Sequence, residues 1–119
     1  MREKSMDTFE VLITPDAMDM LTNLSDYILF NKQNPDAADD VYQDALETAN
    51  QLQTVAGSLG FCKRKILADH GYRKICLQRH DYVLLYKIYS NTAVVEAVFH
   101  QKEDYENKFV HSLNIKKKV

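Results

Sequence analysis

Four residues in the second half of the chain have side chains that bind phosphate or carry protons: Arg73, Arg79, Tyr82 and His100. An arginine guanidinium holds a phosphate through two parallel hydrogen bonds, and a histidine titrates near neutral pH. Such a set would suit transfer of an RNA 2′-hydroxyl onto the adjacent phosphate without a metal. Basic and phenolic residues are also common on solvated strands, so a purely structural role stays open for each of them.

The segment that carries these residues has the pattern of an antiparallel meander. Residues 72–79, 82–89 and 93–100 have the composition and alternation of strands, and short breaks at 80–81 and 90–92 join them. A further short segment, Arg64–Ala68, comes before them. We therefore expect three or four strands after Gly60.

The strand register decides whether the four side chains meet. If the turn at 80–81 is tight, Arg79 lies opposite Tyr82 and Arg73 lies opposite Ile88. If the loop at 90–92 pairs Tyr89 with Ala93, His100 also falls opposite Tyr82. A slip of one residue would move His100 to the other face of the sheet.

The first half of the chain predicts one strand and two helices. Residues 8–13 alternate as a strand does, and Thr14 followed by Pro15 is a helix start signal for a helix reaching about Asn31. Asn34–Pro35 repeats that signal after a short connection. The predicted fold class is α+β, with an N-terminal strand, an antiparallel helix hairpin on one face of the sheet, and then the meander.

Length and charge set the broad class of protein. A chain of 119 residues predicts a single domain, 1–119, with a core of about 8–109 and a basic tail at 110–119. Residues 1–59 contain 3 Lys/Arg against 11 Asp/Glu, and residues 60–119 contain 12 against 6, so the halves carry net charges of −8 and +6. The basic half would attract an anionic surface. Since helices cover only one face of the predicted sheet, we expect the other face, with its basic and aromatic residues, to stay open.

Several other features carry no predicted chemistry. We interpret the acidic residues of the second helix as its solvated face. We interpret Cys62 and Cys76 as reduced thiols. The four histidines lack metal-ligand spacing, so we expect neither a metal nor a cofactor. Without a membrane span or signal peptide, the predicted location is the cytoplasm. The acidic residues in question are Asp36, Asp40, Asp44 and Glu47.

The order of these elements and four short stretches, at 34–46, 71–73, 82–86 and 98–104, resemble the RelE/ParE superfamily of toxins from bacterial type II toxin-antitoxin (plasmid stabilisation) systems. The resemblance covers roughly residues 8–109. The pattern Asn-Pro-x-Ala-Ala at 34–38, the step Gly-Tyr-Arg at 71–73 and the ending His-x-x-x-Asp at 100–104 are closer to the ParE side.

The resemblance implies a growth-inhibiting toxin that a cognate antitoxin neutralises, with operator DNA bound only through the antitoxin. ParE-like members poison DNA gyrase, and RelE-like members cleave mRNA on the ribosome. For a RelE-like enzyme, Arg73, Arg79 and Lys65 would stabilise the phosphate and His100 would carry the proton. A third alternative is an inactive member that only binds a partner and regulates. The expected target or antitoxin contacts are Arg64, Lys74, Tyr82, Tyr86, Lys102, Tyr105 and Phe109.

Overall fold

A computed structural model describes residues 8–118 of the chain, with side chains described as far as residue 113. It contains four strands, four α-helices and a 3₁₀ turn at Ala56–Ser58. The order along the chain is β1 Glu10–Ile13, α1 Pro15–Lys32, α2 Pro35–Val55, α3 Lys65–Asp69, β2 Tyr72–Cys76, β3 Tyr82–Tyr89, β4 Thr92–His100 and α4 Tyr105–Lys118.

Both long helices begin at the predicted signals. The Thr14 side chain accepts the N–H of Ala17 at 3.0 Å, and the Asn34 side chain accepts the N–H of Ala37 at 3.1 Å. Each cap satisfies a donor that a helix start leaves without an intrahelical partner. No helix in the described part of the chain is long and apolar enough to cross a membrane.

One sheet of four strands forms the centre of the fold, in the order β1-β4-β3-β2. Strands β2, β3 and β4 form the predicted antiparallel meander, and β1 pairs in parallel with β4. Helices α1 and α2 pack together on one face, where Leu21, Leu52 and Tyr86 belong to a single buried cluster. The predicted α+β class and the hairpin on one sheet face are confirmed.

The register is partly as predicted. Tyr82 pairs with His100, as expected, but Arg73 pairs with Tyr86 and not with Ile88. The expectation for Arg73 was wrong because β2 ends at Cys76 and the connection to β3 spans residues 77–81, longer than a tight turn. Arg79 consequently lies in this loop, outside the ladder.

Two segments differ from the sequence-based expectation. Residues 64–68 do not add a strand, since α3 begins at Lys65. The expected tail at 110–119 is helical through Lys118, as part of α4, which packs on the second face of the sheet through Phe109 and Val110. The sheet is therefore covered on both faces, and the open basic face anticipated from the sequence is not formed.

Candidate protein-interaction site

Arg73 supports the segment that leads into α3. Its guanidinium donates to the carbonyl of Leu59 and lies 4.0 Å from the centre of the Phe61 ring. The backbone of the same segment is tied to β2, because Cys62 N–H donates to the carbonyl of Tyr72 at 2.9 Å. A stacked, hydrogen-bonded guanidinium of this kind holds a loop in place.

Lys74 points to the opposite face, as strand alternation requires. Its ammonium donates to the Tyr105 hydroxyl at 3.1 Å and lies 3.6 Å from a Glu106 oxygen. Burial acts to lower the pKa of Lys74, but these two partners outweigh it and raise the pKa. The Glu106 carboxylate also accepts the N–H groups of Lys63 and Arg64, at 3.0 and 2.7 Å. Lys74 and Glu106 thus join β2, α3 and α4.

Arg79 and His80 bind the acidic side of α2. The His80 ring meets Asp44 Oδ2 through Nδ1 at 2.7 Å and Asp40 Oδ2 through Nε2 at 3.1 Å. The Arg79 guanidinium donates to Glu47 at 3.0 Å and to Asp40 at 3.3 Å. Asp44 has an exposed fraction of 0 %, so the expectation that all four acids form a solvated face was wrong for Asp44.

Tyr82 and His100 form a close pair, as the predicted register of β3 and β4 required. Their rings meet edge to face with centres 4.9 Å apart, and His100 Nδ1 accepts the N–H of Lys102 at 3.0 Å. Both residues line a cleft of about 370 Å³ with Arg79 and with Lys32 at the end of α1. The cleft contains cations and a phenol, as the sequence suggested, but Arg79 is already paired with carboxylates.

The remaining predicted residues lie apart from this cleft. Lys65 is exposed on α3 and pairs with Asp69 at 2.9 Å. Arg73 is opposite Tyr86, four residues along β3 from Tyr82, which is about 13 Å at strand spacing. The structure therefore does not bring the four proposed catalytic residues to one phosphate-sized site.

The residues expected to contact a partner divide by exposure. Arg64 and Lys102 are exposed, and Lys74, Tyr82 and Tyr105 are partly buried. Tyr86 and Phe109 are core residues, so neither side chain presents a surface to a partner in this fold. The Tyr86 hydroxyl donates to the Ala56 carbonyl at 2.6 Å, and the Phe109 ring packs edge to face on Tyr72, with centres 5.1 Å apart.

The structure also forms a groove that the sequence reading missed. Two adjoining cavities, of about 360 and 420 Å³, run between α1 and α4 along β4, and we name them together the edge groove. Met20, Phe99 and Lys108 line both of them. These three residues belong to α1, β4 and α4, and only the fold brings α1 next to the other two elements, which is why no local motif indicated the groove. Its other lining residues are Asp16, Asp19, Asn23, Leu24, Tyr82, Glu96, Ala97, Val98, His100, Glu103, Phe109 and Ser112.

Comparison with known proteins agrees with the fold. The family model for the ParE toxin of the type II toxin-antitoxin system parDE matches residues 11–105. A solved structure described as the chromosomal ParDE TA system from P. aeruginosa aligns with a TM-score of 0.64 and 20% identity, over 79% of this chain and 97% of that chain. No curated protein sequence matches the chain.

The element order and the four-stranded sheet give the chain the same α+β fold as that solved structure. The family model spans most of the chain, which is enough to establish the family. The chain belongs to the ParE toxin family of type II toxin-antitoxin systems.

Proposed function

We propose that this protein is an active growth-inhibiting toxin, that a cognate antitoxin neutralises it in the bacterial cytoplasm, and that its target is DNA gyrase. The match of the ParE family model to residues 11–105 carries the proposal, since it runs from the second residue of β1 to the first residue of α4. Operator DNA would be bound through the antitoxin, and the pair would act as an addiction module that stabilises a replicon.

The placement of the basic residues supports inhibition by binding over RNA cleavage. General acid-base catalysis needs the proton carrier within hydrogen-bond reach of the reacting group. Arg73 contacts the loop before α3, Arg79 contacts α2, and Lys65 pairs with Asp69 on α3. Among the described residues, no hydrogen bond or ion pair joins any of these three side chains to His100. To act as a ribosome-dependent ribonuclease, the protein would have to bring these three side chains to His100 when it binds its target.

Contact with the target or the antitoxin would use the accessible part of the predicted set. Arg64 and Lys102 are exposed, and Lys74 and Tyr105 reach the surface between α3 and α4. Arginine and tyrosine are enriched among the side chains that anchor protein interfaces. We propose these four residues as contacts.

The first test is induced expression of the chain in a bacterial host. We expect growth arrest, and rescue when the protein encoded by the neighbouring reading frame is expressed with it. The vector without insert and the neighbouring frame alone are the controls. Normal growth with soluble, folded protein would favour an inactive member that only binds a partner.

The second test separates the two targets. Purified protein is added to a gyrase supercoiling reaction and, separately, to a translation reaction with a defined mRNA. We expect gyrase-dependent DNA breaks and intact message. Cleaved message that disappears with His100→Ala, but not with Lys65→Ala, would instead indicate a ribonuclease centred on the Tyr82–His100 cleft.

A further inference from the structure

The segment before α3 and the turn before α4 form a surface rich in cations. Lys63 and Arg64 line a cavity of about 260 Å³ together with residues 103–107 at the start of α4, and the exposed Lys102 directly precedes that stretch. We name these residues together the α3–α4 surface. Residues 60–75 and 100–108, which include it, contain seven Lys/Arg against four Asp/Glu, a net charge of +3 in a chain whose formal net charge is −2.

Most of the carboxylates in this part of the chain are already paired with a cation. The three ion pairs are Glu106 with Lys74 at 3.6 Å, Glu103 with Lys108 at 2.6 Å and Asp69 with Lys65 at 2.9 Å. The fourth carboxylate, Asp104, accepts the side-chain N–H of Asn107 at 2.7 Å. Because each pair cancels its own charge at a distance, repulsion of an approaching anion comes mainly from Asp104.

Lys63, Arg64 and Lys102 carry the uncompensated positive charge. All three are exposed, and no ion pair among the described residues involves them. Their backbone is fixed, because Glu106 accepts the N–H groups of Lys63 and Arg64 at 3.0 and 2.7 Å, and His100 Nδ1 accepts the N–H of Lys102 at 3.0 Å. Three cations therefore project from a hydrogen-bonded backbone and are available to an external anion.

The lining of the cavity indicates what kind of anion fits. Apart from the Tyr105 ring, every residue that lines it is polar or charged. A bound protein segment gains much of its affinity from buried apolar side chains, which this lining does not accommodate. Binding to a nucleic-acid backbone can instead come from cation–phosphate contacts and the release of counterions alone. The α3–α4 surface therefore fits a row of phosphates better than an acidic peptide.

We infer that the α3–α4 surface contacts the sugar–phosphate backbone of duplex DNA, independently of base sequence, through Lys63, Arg64 and Lys102. The inference rests on the proposed function, since the DNA concerned is the segment that gyrase holds when the toxin inhibits it. A toxin that contacts both the enzyme and its DNA stabilises the complex that contains all three, because the second contact forms within an existing complex. Broken DNA would consequently be retained longer.

The acidic half of the chain limits the affinity of the free protein for DNA. Residues 1–59 carry a net charge of −8, and their helix α2 packs on the opposite face of the sheet from α4. Exposed charges are largely screened beyond about 10 Å at 0.1 M salt, so this repulsion weakens the contact without abolishing it. We expect a Kd for duplex DNA alone of about 10⁻⁵ to 10⁻⁴ M at low salt, within the weak range of sequence-independent binding.

Fluorescence anisotropy with a labelled duplex of about 20 base pairs measures this contact for the full chain, between about 25 and 150 mM NaCl. The logarithm of the binding constant should fall with the logarithm of salt concentration with a slope of about −2 to −3, since each phosphate contact contributes about −0.9. Lys63→Ala, Arg64→Ala and Lys102→Ala should each make the slope shallower by about 1. Lys32→Ala, at an exposed lysine on the end of α1, is the matched control and should leave the slope unchanged.

Several outcomes would overturn the inference. One is no binding by the unmodified chain at about 25 mM NaCl, and another is an unchanged slope for the Lys63→Ala and Arg64→Ala variants when thermal melts show that they are folded. Equal affinity for a polyglutamate peptide would show that the surface recognises negative charge in general. Binding of an RNA duplex of the same sequence about tenfold tighter would assign the surface to RNA instead.

A gyrase reaction separates this inference from the proposed function. Lys63→Glu should lower the yield of gyrase-dependent DNA breaks by about tenfold, while its affinity for gyrase without DNA stays within about twofold of the unmodified chain. An unchanged yield from folded Lys63→Glu, or an equal loss of affinity for gyrase without DNA, contradicts the inference alone. Absence of breaks with the unmodified chain, in spite of direct binding to DNA, contradicts the gyrase proposal.

Discussion

His80 directs its ring Nδ1 to Asp44 Oδ2 at 2.7 Å, which ties the loop between β2 and β3 to the middle of α2. The same oxygen accepts the backbone N–H of Arg79 at 2.9 Å. Asp44 is fully buried, and its other oxygen, Oδ1, has no hydrogen bond among the described residues. A buried carboxylate in this position is stable only with such donors, so the loop and the helix depend on each other.

Asp44→Ala should lower the free energy of unfolding by about 3 kcal/mol, because it leaves the Arg79 N–H and the His80 ring without their acceptor. Chemical denaturation monitored by circular dichroism measures the change. Asp39→Ala, an exposed acid five residues earlier on the same helix, should change it by less than about 0.5 kcal/mol. Equal losses for the two variants would mean that Asp44 acts only as a helix residue.

The stability of the protein should depend on the protonation of Asp44 in acid. Burial acts to raise the pKa of this carboxyl, but the His80 and Arg79 hydrogen bonds and the Arg79 charge hold the pKa below its ordinary value. Since the folded-state pKa is the lower one, the unfolded chain binds the proton first. The stabilisation is complete above the unfolded pKa, about 3.9, and is lost as the pH falls through the folded value.

Denaturation curves between about pH 5.5 and 2.5 test this dependence. The unmodified chain should lose stability more steeply below about pH 4 than Asp44→Asn, which cannot titrate at this position. Glu103 contributes in the same direction in both proteins, because its hydrogen bond from Lys108 lowers its pKa. Parallel curves for the two proteins would show that Asp44 is not linked to acid unfolding.

The sequence was most informative where a local signal determines local structure. Thr14–Pro15 and Asn34–Pro35 start helices because a side-chain oxygen and a proline satisfy the requirements of a helix N-terminus on their own. The pairing of Tyr82 with His100 was also predicted, but it arises differently. Tyr89 pairs with Thr92 and not with Ala93, so the assumed pairing was wrong by one residue at that end of the hairpin. A bulge at Glu96 then shifts the pairing by one residue and brings His100 opposite Tyr82.

The parts that failed depend on contacts between distant segments. The predicted core ended at about residue 109, so Phe109 stood at its limit and Val110 outside it. Only the packing of these two residues against Tyr72 and its neighbours shows that α4 covers the sheet. Asp44 has the same residue type and helical spacing as its exposed neighbour Asp40. Asp44 is buried because the loop at 77–81 lies against it. The sequence-based prediction assumed a tight turn at 80–81 and therefore a shorter loop.

Tyr86→Phe should lower the free energy of unfolding by about 1–2 kcal/mol, since the buried Ala56 carbonyl would lose its hydroxyl donor. Tyr82→Phe is the matched control, because no hydrogen bond among the described residues involves the Tyr82 hydroxyl, and it should change stability by less than about 0.5 kcal/mol. Urea unfolding of both variants gives the comparison. A loss of partner binding by folded Tyr86→Phe, with stability unchanged, would restore Tyr86 as a contact residue.

Arg73→Ala should expose the thiol of Cys62 to chemical modification. Cys62 is buried, and burial, followed by the Glu106 charge, raises its pKa to about 11 from 9.0, which lowers the thiolate fraction near neutral pH about hundredfold. Arg73 holds the adjoining segment through the Leu59 carbonyl and the Phe61 ring. Without it, local opening at Cys62 should become easier by about 1.4 kcal/mol, a tenfold faster reaction with a disulfide reagent.

The measurement uses a Cys76→Ser background, because Cys76 is exposed and would react first. Arg64→Ala is the matched control: its side chain is exposed, and its backbone N–H keeps the bond to Glu106. Reaction at Cys62 should accelerate with Arg73→Ala and not with Arg64→Ala. Since the thiol reports on the segment next to β2 and not on any partner, equal rates in the two variants would show that Arg73 does not anchor this loop.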